Sequence, residues 1–320
     1  MTNGIETVPC NPLNNYNLHY IDGVVYAKRE TRDLKMRILT PHRVPRAPMP
    51  ENGFSRDDMD EAFGPNRTPP RGQLPERKPL PALITMTGTG FGGAEGQTGV
   101  VTYAEIARSG CVVAGIDYRG AQRDDTRFPD CVQDAKEAVR FLRAHAGESG
   151  IDPNRIAMLG SSSAGWLTMM AAVTGDDPAF TLGENREYSD ALSAAVDLFG
   201  PMDFELIVPD RIEAGRRMGQ FTHEGYSLFR NDVVKDPTLL HQASVLRRIT
   251  AEQNIPPVLI IHGTEDPTIP IKQSHRLYEA LDQAGKSVQM CVVEGAGHET
   301  YIWGPETMRR VVGFLHEVMD

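Results

Sequence analysis

Residues Ile156–Leu167 read IAMLGSSSAGWL, and this stretch decides the architecture. An apolar run ends at Gly160, three serines follow, and from Ser163 the residues turn small and apolar, as in a helix packed on a sheet. A strand running straight into a helix is the repeating unit of an α/β fold. A serine on such a turn is held in a strained backbone geometry that lifts its hydroxyl above the sheet. The residues two before and two after it must then be small. Ser162 has Gly160 and Ala164 at those places; Ser163 has Ser161 and Gly165, which also fit. The apolar run stops at Gly160, and that phase favours Ser162 over Ser163, while Leu159 disfavours Ser161. A serine here can also simply cap the helix, so the rest of the chain must carry the reading.

On either side the same rhythm recurs. Ala82–Thr87, Cys111–Ile116, Ala194–Phe199, Pro257–His262 and Ser287–Val293 are short runs apolar on both faces, as strands covered by helices on each side must be. Between them, Asp130–Ala146 sets Val132, Ala135, Val139, Leu142 and Ala146 on one stripe, and Lys272–Ala284 and Pro305–Met319 repeat the pattern. Ser163–Thr174 reads as a central helix. Two earlier stretches, His19–Lys28 and Leu34–Thr40, alternate like an antiparallel pair. Together these predict a single α/β domain over residues 1–320, with a mostly parallel eight-stranded sheet and helices on both faces. Residues 41–79 hold nine prolines and predict a surface loop. Residues 204–254 are too long for a plain crossover and carry Phe204, Arg216, Arg217, Phe221, Tyr226 and Phe229, which predicts a small cap or lid insertion.

The net charge of −10 argues against nucleic acid, because phosphate neutralisation needs a basic face. No apolar stretch approaches the length of a membrane span, and the first residues lack the basic and apolar regions of a secretory signal, so the chain reads as cytoplasmic. Cys10, Cys111, Cys131 and Cys291 form no C-x-x-C pair, so neither a metal site nor a redox motif is indicated; Cys111 and Cys291 read as small core residues. The sequence leaves a homo-oligomer open.

A serine hydroxyl is a weak nucleophile that needs a base, itself oriented by an acid, and in this kind of sheet the order is Ser, acid, His. Leu259–Pro270 (LIIHGTEDPTIP) places Asp266 just past a buried strand, and Val292–Glu299 (VVEGAGHE) places His298 just past the next. Open α/β sheets build their sites at these carboxyl ends. Glu265 and Asp203 are the alternative acids. A tetrahedral intermediate also needs backbone donors. Ser163 would give one amide, and the glycine-rich TGTGFGG after Ala82–Thr87 would give Thr89 and Gly90. A phosphate loop is disfavoured there because no G-K-[ST] follows.

The stretch Phe128–Leu167, together with IDYR at Ile116–Arg119, HGTEDPTIP at His262–Pro270 and GAGH at Gly295–His298, resembles the α/β-hydrolase esterases related to bacterial feruloyl and acetyl-xylan esterases. That group also takes in kynurenine formamidase-like and hormone-sensitive-lipase-like members, and the resemblance covers roughly residues 80–319. It implies the α/β-hydrolase fold and a cofactor-free carboxylesterase with a Ser162–Asp266–His298 triad. The implied substrate is a small-molecule ester with a short acyl or hydroxycinnamoyl group, on a sugar among the alcohols. Two places depart from the group: its H-G-G-G motif stands here as Thr87-Gly88-Thr89-Gly90, and the last glycine of its serine turn is Ala164. Amide hydrolysis would use the same triad. A catalytically dead binding protein is the remaining class, against which three ordered residues speak.

Overall fold

The computed structural model describes residues 16–43, 78–96, 103–214, 228–229, 236 and 238–320. The strands are β1 Tyr16–Lys28, β2 Asp33–Arg43, β3 Leu80–Met86, β4 Val112–Ile116, β5 Ile151–Ser161, β6 Ala194–Leu198, β7 Val258–Gly263 and β8 Val288–Val293. They form one eight-stranded sheet of order β1-β2-β4-β3-β5-β6-β7-β8. β2 is antiparallel to both β1 and β4, and every other pair is parallel. The helices are α1 Ala104–Arg108, α2 Asp130–Ala144, α3 Ala146–Ser149, α4 Ser163–Val173, α5 Ile207–Glu213, α6 Thr238–Gln242, α7 Lys272–Gln283 and α8 Pro305–Met319.

Side chains alternate across each strand and fill two separate cores. Ile84 and Met158 pack with α2 and α4 on one face, Leu83 and Leu159 with α1 and α8 on the other. All eleven residues of α4 are buried, which is why its sequence is apolar or small all round. Among the described residues no helix is long and apolar enough to cross a membrane.

The structure corrects the sequence reading in several places. β5 begins at Ile151, not Ile156, because Asp152–Arg155, half-buried except for the exposed Asn154, continue the strand without an apolar run. The predicted helix Asp130–Ala146 is two, α2 and α3, meeting at His145. Pro41, His42 and Arg43 belong to β2 and not to the proline-rich loop, whose residues 44–77 lie outside the described ones. Within 204–254, α5 and α6 are short helices, and Phe204 and Phe229 are buried against each other and against the aromatic cluster of Trp166, with ring centroids 5.3 Å apart. Arg216, Arg217, Phe221 and Tyr226 lie outside the described residues. Cys111 and Cys131 are buried thiols; Cys291 is only half-buried, on the edge strand β8.

Candidate active site

The turn from β5 to α4 is as tight as its sequence demands. A Cβ on Gly160 would stand 2.1 Å from the Ala164 carbonyl oxygen, and one on Gly165 would stand 2.3 Å from Asp197 Oδ1. Glycine is therefore obligatory at both, and the crowded position on the helix side is Gly165, which leaves Ala164 tolerable. Ser162 sits between them at φ 54°, ψ −124°, a backbone state that costs a non-glycine residue about 1–3 kcal/mol. Its N–H donates to the Leu198 carbonyl at 2.8 Å, which ties the turn to β6.

Asp266 follows β7 and His298 follows β8, so the sheet order brings three distant loops together. Ser162 Oγ lies 2.9 Å from His298 Nε2, and His298 Nδ1 lies 2.7 Å from Asp266 Oδ2. The tautomer that fits carries its proton on Nδ1, donates it to Asp266, and leaves Nε2 to accept the Ser162 hydroxyl proton. Asp266 is fixed from its other side as well: Oδ1 accepts the N–H groups of Thr268 at 2.7 Å and Ile269 at 2.9 Å. The His298 ring meets Phe199 edge-on at 4.9 Å, which limits its swing. Among the alternative acids, Glu265 is exposed, and Asp203 accepts the Ser244 hydroxyl at 2.5 Å and caps its own chain at Glu205 and Leu206.

A second histidine stands behind the acid. His262, fully buried at the end of β7, holds Nε2 at 3.2 Å from Asp266 Oδ2 and 3.0 Å from the Ile269 carbonyl. Its Nδ1 is paired with the Ser274 hydroxyl at 2.7 Å. Burial raises the Asp266 pKa, but hydrogen bonds from His262 and His298 outweigh it and hold the carboxyl well below the usual range. The sequence reading left His262 as a strand residue; the signal was a histidine closing the otherwise apolar run LIIH.

These side chains open on a cleft of about 250 Å³ lined by Ser162, Ser163, His298, Gly88, Gly90, Phe91, Pro201, Thr268 and Glu299. Gly88 and Gly90 line it, whereas Thr89 differs from expectation. Its N–H donates to Ser163 Oγ at 3.0 Å, so this amide is engaged by a side chain of the turn. Glu299, unmarked by the sequence reading, brings a carboxylate to the cleft. Among the described residues no cluster of metal-ligating side chains is present.

A sheet of this order, with a serine on the β5–α4 turn and an acid and a histidine after β7 and β8, defines an α/β-hydrolase. The chain belongs to the BD-FAE family, whose model matches residues 73–281. It is 33% identical to Esterase LipC of Mycobacterium tuberculosis over 225 residues, 69% of this chain and 53% of that protein. The chain thus spans about half the length of the curated relatives it matches. Among solved structures it is similar to a truncated carbohydrate esterase from gut microbiota, with TM-score 0.72 and 21% identity over 96% of this chain and 98% of that one. The butyrate-bound esterase 2 of Thermogutta terrifontis gives TM-score 0.67 and 23% identity over 96% and 95%. At such identities these two are likenesses of fold.

Proposed function

We propose that the chain is a serine carboxylesterase working through an acyl-enzyme. Ser162 attacks the ester carbonyl while His298 Nε2 takes its proton. Asp266 orients the ring and stabilises the imidazolium that forms. The amides of Ser163 and Gly90 receive the oxyanion, and His298 then hands the proton to the departing alcohol. Water repeats the cycle and releases the acid. The observation that carries this reading is the continuous hydrogen-bonded line from Ser162 through His298 to Asp266 at 2.9 and 2.7 Å.

The substrates we infer are short acyl or hydroxycinnamoyl esters, with sugars among the alcohols. The carbohydrate-esterase and butyrate-bound relatives of this fold support that class. The described start of the 204–254 insertion supports a cap role: Phe204 packs at 5.6 Å from Phe91, which lines the cleft. We place the protein in the cytoplasm, a reading supported by the free thiols of Cys111, Cys131 and Cys291. The test is hydrolysis of p-nitrophenyl acetate, butyrate and ferulate beside a formamide substrate, with organophosphate labelling mapped by mass spectrometry. Ester turnover and a label on Ser162 are expected. A label elsewhere, or turnover that survives Ser162→Ala, refutes the assignment.

A further inference from the structure

Three serines stand in a row at the turn, and the structure separates their tasks. The middle one faces His298. The outer two face the loop Thr87–Gly90. Gly88 N–H donates to Ser161 Oγ at 3.3 Å and Thr89 N–H to Ser163 Oγ at 3.0 Å, while the Tyr118 hydroxyl donates to the Thr87 carbonyl at 2.7 Å. Three consecutive residues of the loop are thus each held by a side chain from outside it. Both serines are buried, and burial pushes the Tyr118 phenol up to about 12 against the pull of hydrogen bonds with Thr89 and Ser163.

The loop also runs in contact with the nucleophile. A Cβ on Gly88 would lie 2.5 Å from Ser162 Cβ and 2.4 Å from the Ser161 carbonyl oxygen. Having accepted from Gly88, the Ser161 hydroxyl turns its own proton to Glu299 Oε1 at 3.4 Å, and Glu299 directly follows His298. One hydroxyl therefore touches the loop before the nucleophile, the turn that carries it, and the loop that carries the histidine.

We propose that Ser161 and Ser163 are positioning residues whose hydroxyls, with that of Tyr118, clasp the loop Thr87–Gly90 to the nucleophile turn and so fix where its amides meet the developing oxyanion. This rests on the esterase reading above. The loop itself contributes one long contact, from the Thr89 hydroxyl to the Tyr118 hydroxyl at 3.5 Å, and the turn supplies the shorter bonds to its backbone. Releasing Thr89 lets its peptide plane rotate and moves Gly90 with it. A displacement of this kind acts on the transition state, in which the oxyanion exists, and hardly on substrate binding.

The experiment compares Ser161→Ala, Ser163→Ala, the double variant, Ser163→Thr and Tyr118→Phe on p-nitrophenyl acetate, together with inhibition by an alkylboronic acid that mimics the tetrahedral state. Ser163→Ala should lower kcat by about 10- to 100-fold with KM nearly unchanged, since a misplacement of about 1 Å costs on the order of 10². Boronate affinity should fall by the same factor, and Ser163→Thr, which keeps the hydroxyl, should recover most of both. Ser161→Ala and Ser163→Ala release one loop, so the double variant should lose less than the product of the singles. A Ser163→Ala enzyme with kcat and boronate affinity equal to or above those of the unaltered protein overturns the proposal. Should the variants fail to fold, hydrogen exchange on the unaltered chain decides: the Gly88 and Thr89 amides must exchange as slowly as those of the sheet, and open-loop rates overturn the clasp. That measurement stands apart from turnover, so absence of ester hydrolysis would sink the esterase reading and leave the clasp separately judged.

Discussion

Asp197 lies in the middle of an otherwise apolar strand, AAVDL, and is fully buried between β6 and the start of α4. Its Oδ1 accepts the Gly200 N–H at 3.0 Å, while Oδ2 has no hydrogen-bond partner. Burial pushes the carboxyl up to about 7, with the bond from Gly200 pulling the other way. In the unfolded chain an aspartate titrates near 3.9. Between those two values the native protein keeps a proton that the unfolded chain has released, so stability falls as pH rises. The slope reaches about 1.4 kcal/mol per pH unit, and across roughly three units the loss approaches about 4 kcal/mol, complete above pH 7 or so. Asp197→Asn fixes the group neutral. It keeps the Gly200 bond through its oxygen but buries an amide without a partner, at a cost of about 1–3 kcal/mol at every pH. The variant should therefore be the less stable protein near pH 4 and the more stable one above about pH 7, with a crossing near pH 5.5. Urea midpoints of both proteins across that range measure the difference, in which the other titrating groups cancel. A difference flat with pH, or one that moves in favour of the aspartate as pH rises, would falsify the assignment of a neutral buried carboxyl.

Three further outcomes follow from the described contacts. Asp266→Asn keeps the oxygen bonded to Thr268 and Ile269 but faces His298 with an amide, which favours the wrong tautomer; kcat on p-nitrophenyl acetate should drop about 10⁴-fold while KM stays put. Gly160→Ala forces a methyl to 2.1 Å from the Ala164 carbonyl, so the turn must open, with stability falling by about 3 kcal/mol or more in urea and activity vanishing with it. Asp190→Ala strands Lys136 and Arg140, buried cations now 3.1 and 2.8 Å from that carboxylate, and should cost about 3–5 kcal/mol by the same urea measurement.

The parts of the fold legible in the sequence were those that apolar periodicity alone dictates. Strands buried on both faces read as continuous runs, so Val112–Ile116 and Val258–Gly263 lay within a residue of their observed ends. Helix α2 was legible in its apolar stripe alone. Asp134, Lys136, Glu137 and Arg140, off that stripe, are also buried, because Arg29 and Arg119 cover one end and Asp190 the other. Periodicity has no access to charges paired across 50 or more residues of chain. At the site, the order Ser162, Asp266, His298 followed from strand ends, since position along an α/β sheet is enough to place them. What Ser161, Ser163 and His262 touch depended on side-chain direction at a loop crossing, which no local pattern encodes. Thr89 shows the difference: its place in the loop was readable, and the partner of its amide was not.

The line from Ser162 to His298 joins residues 136 positions apart, and it exists only once β7 and β8 have been added to the far edge of the sheet. Such distant pairings form late, because the loop between them must close before any contact rewards it. In a refolding chain, helix signal would return ahead of hydrolysis, and the lag between the two would time the docking of the last strands. Turnover thus serves as a clock for the completion of the sheet.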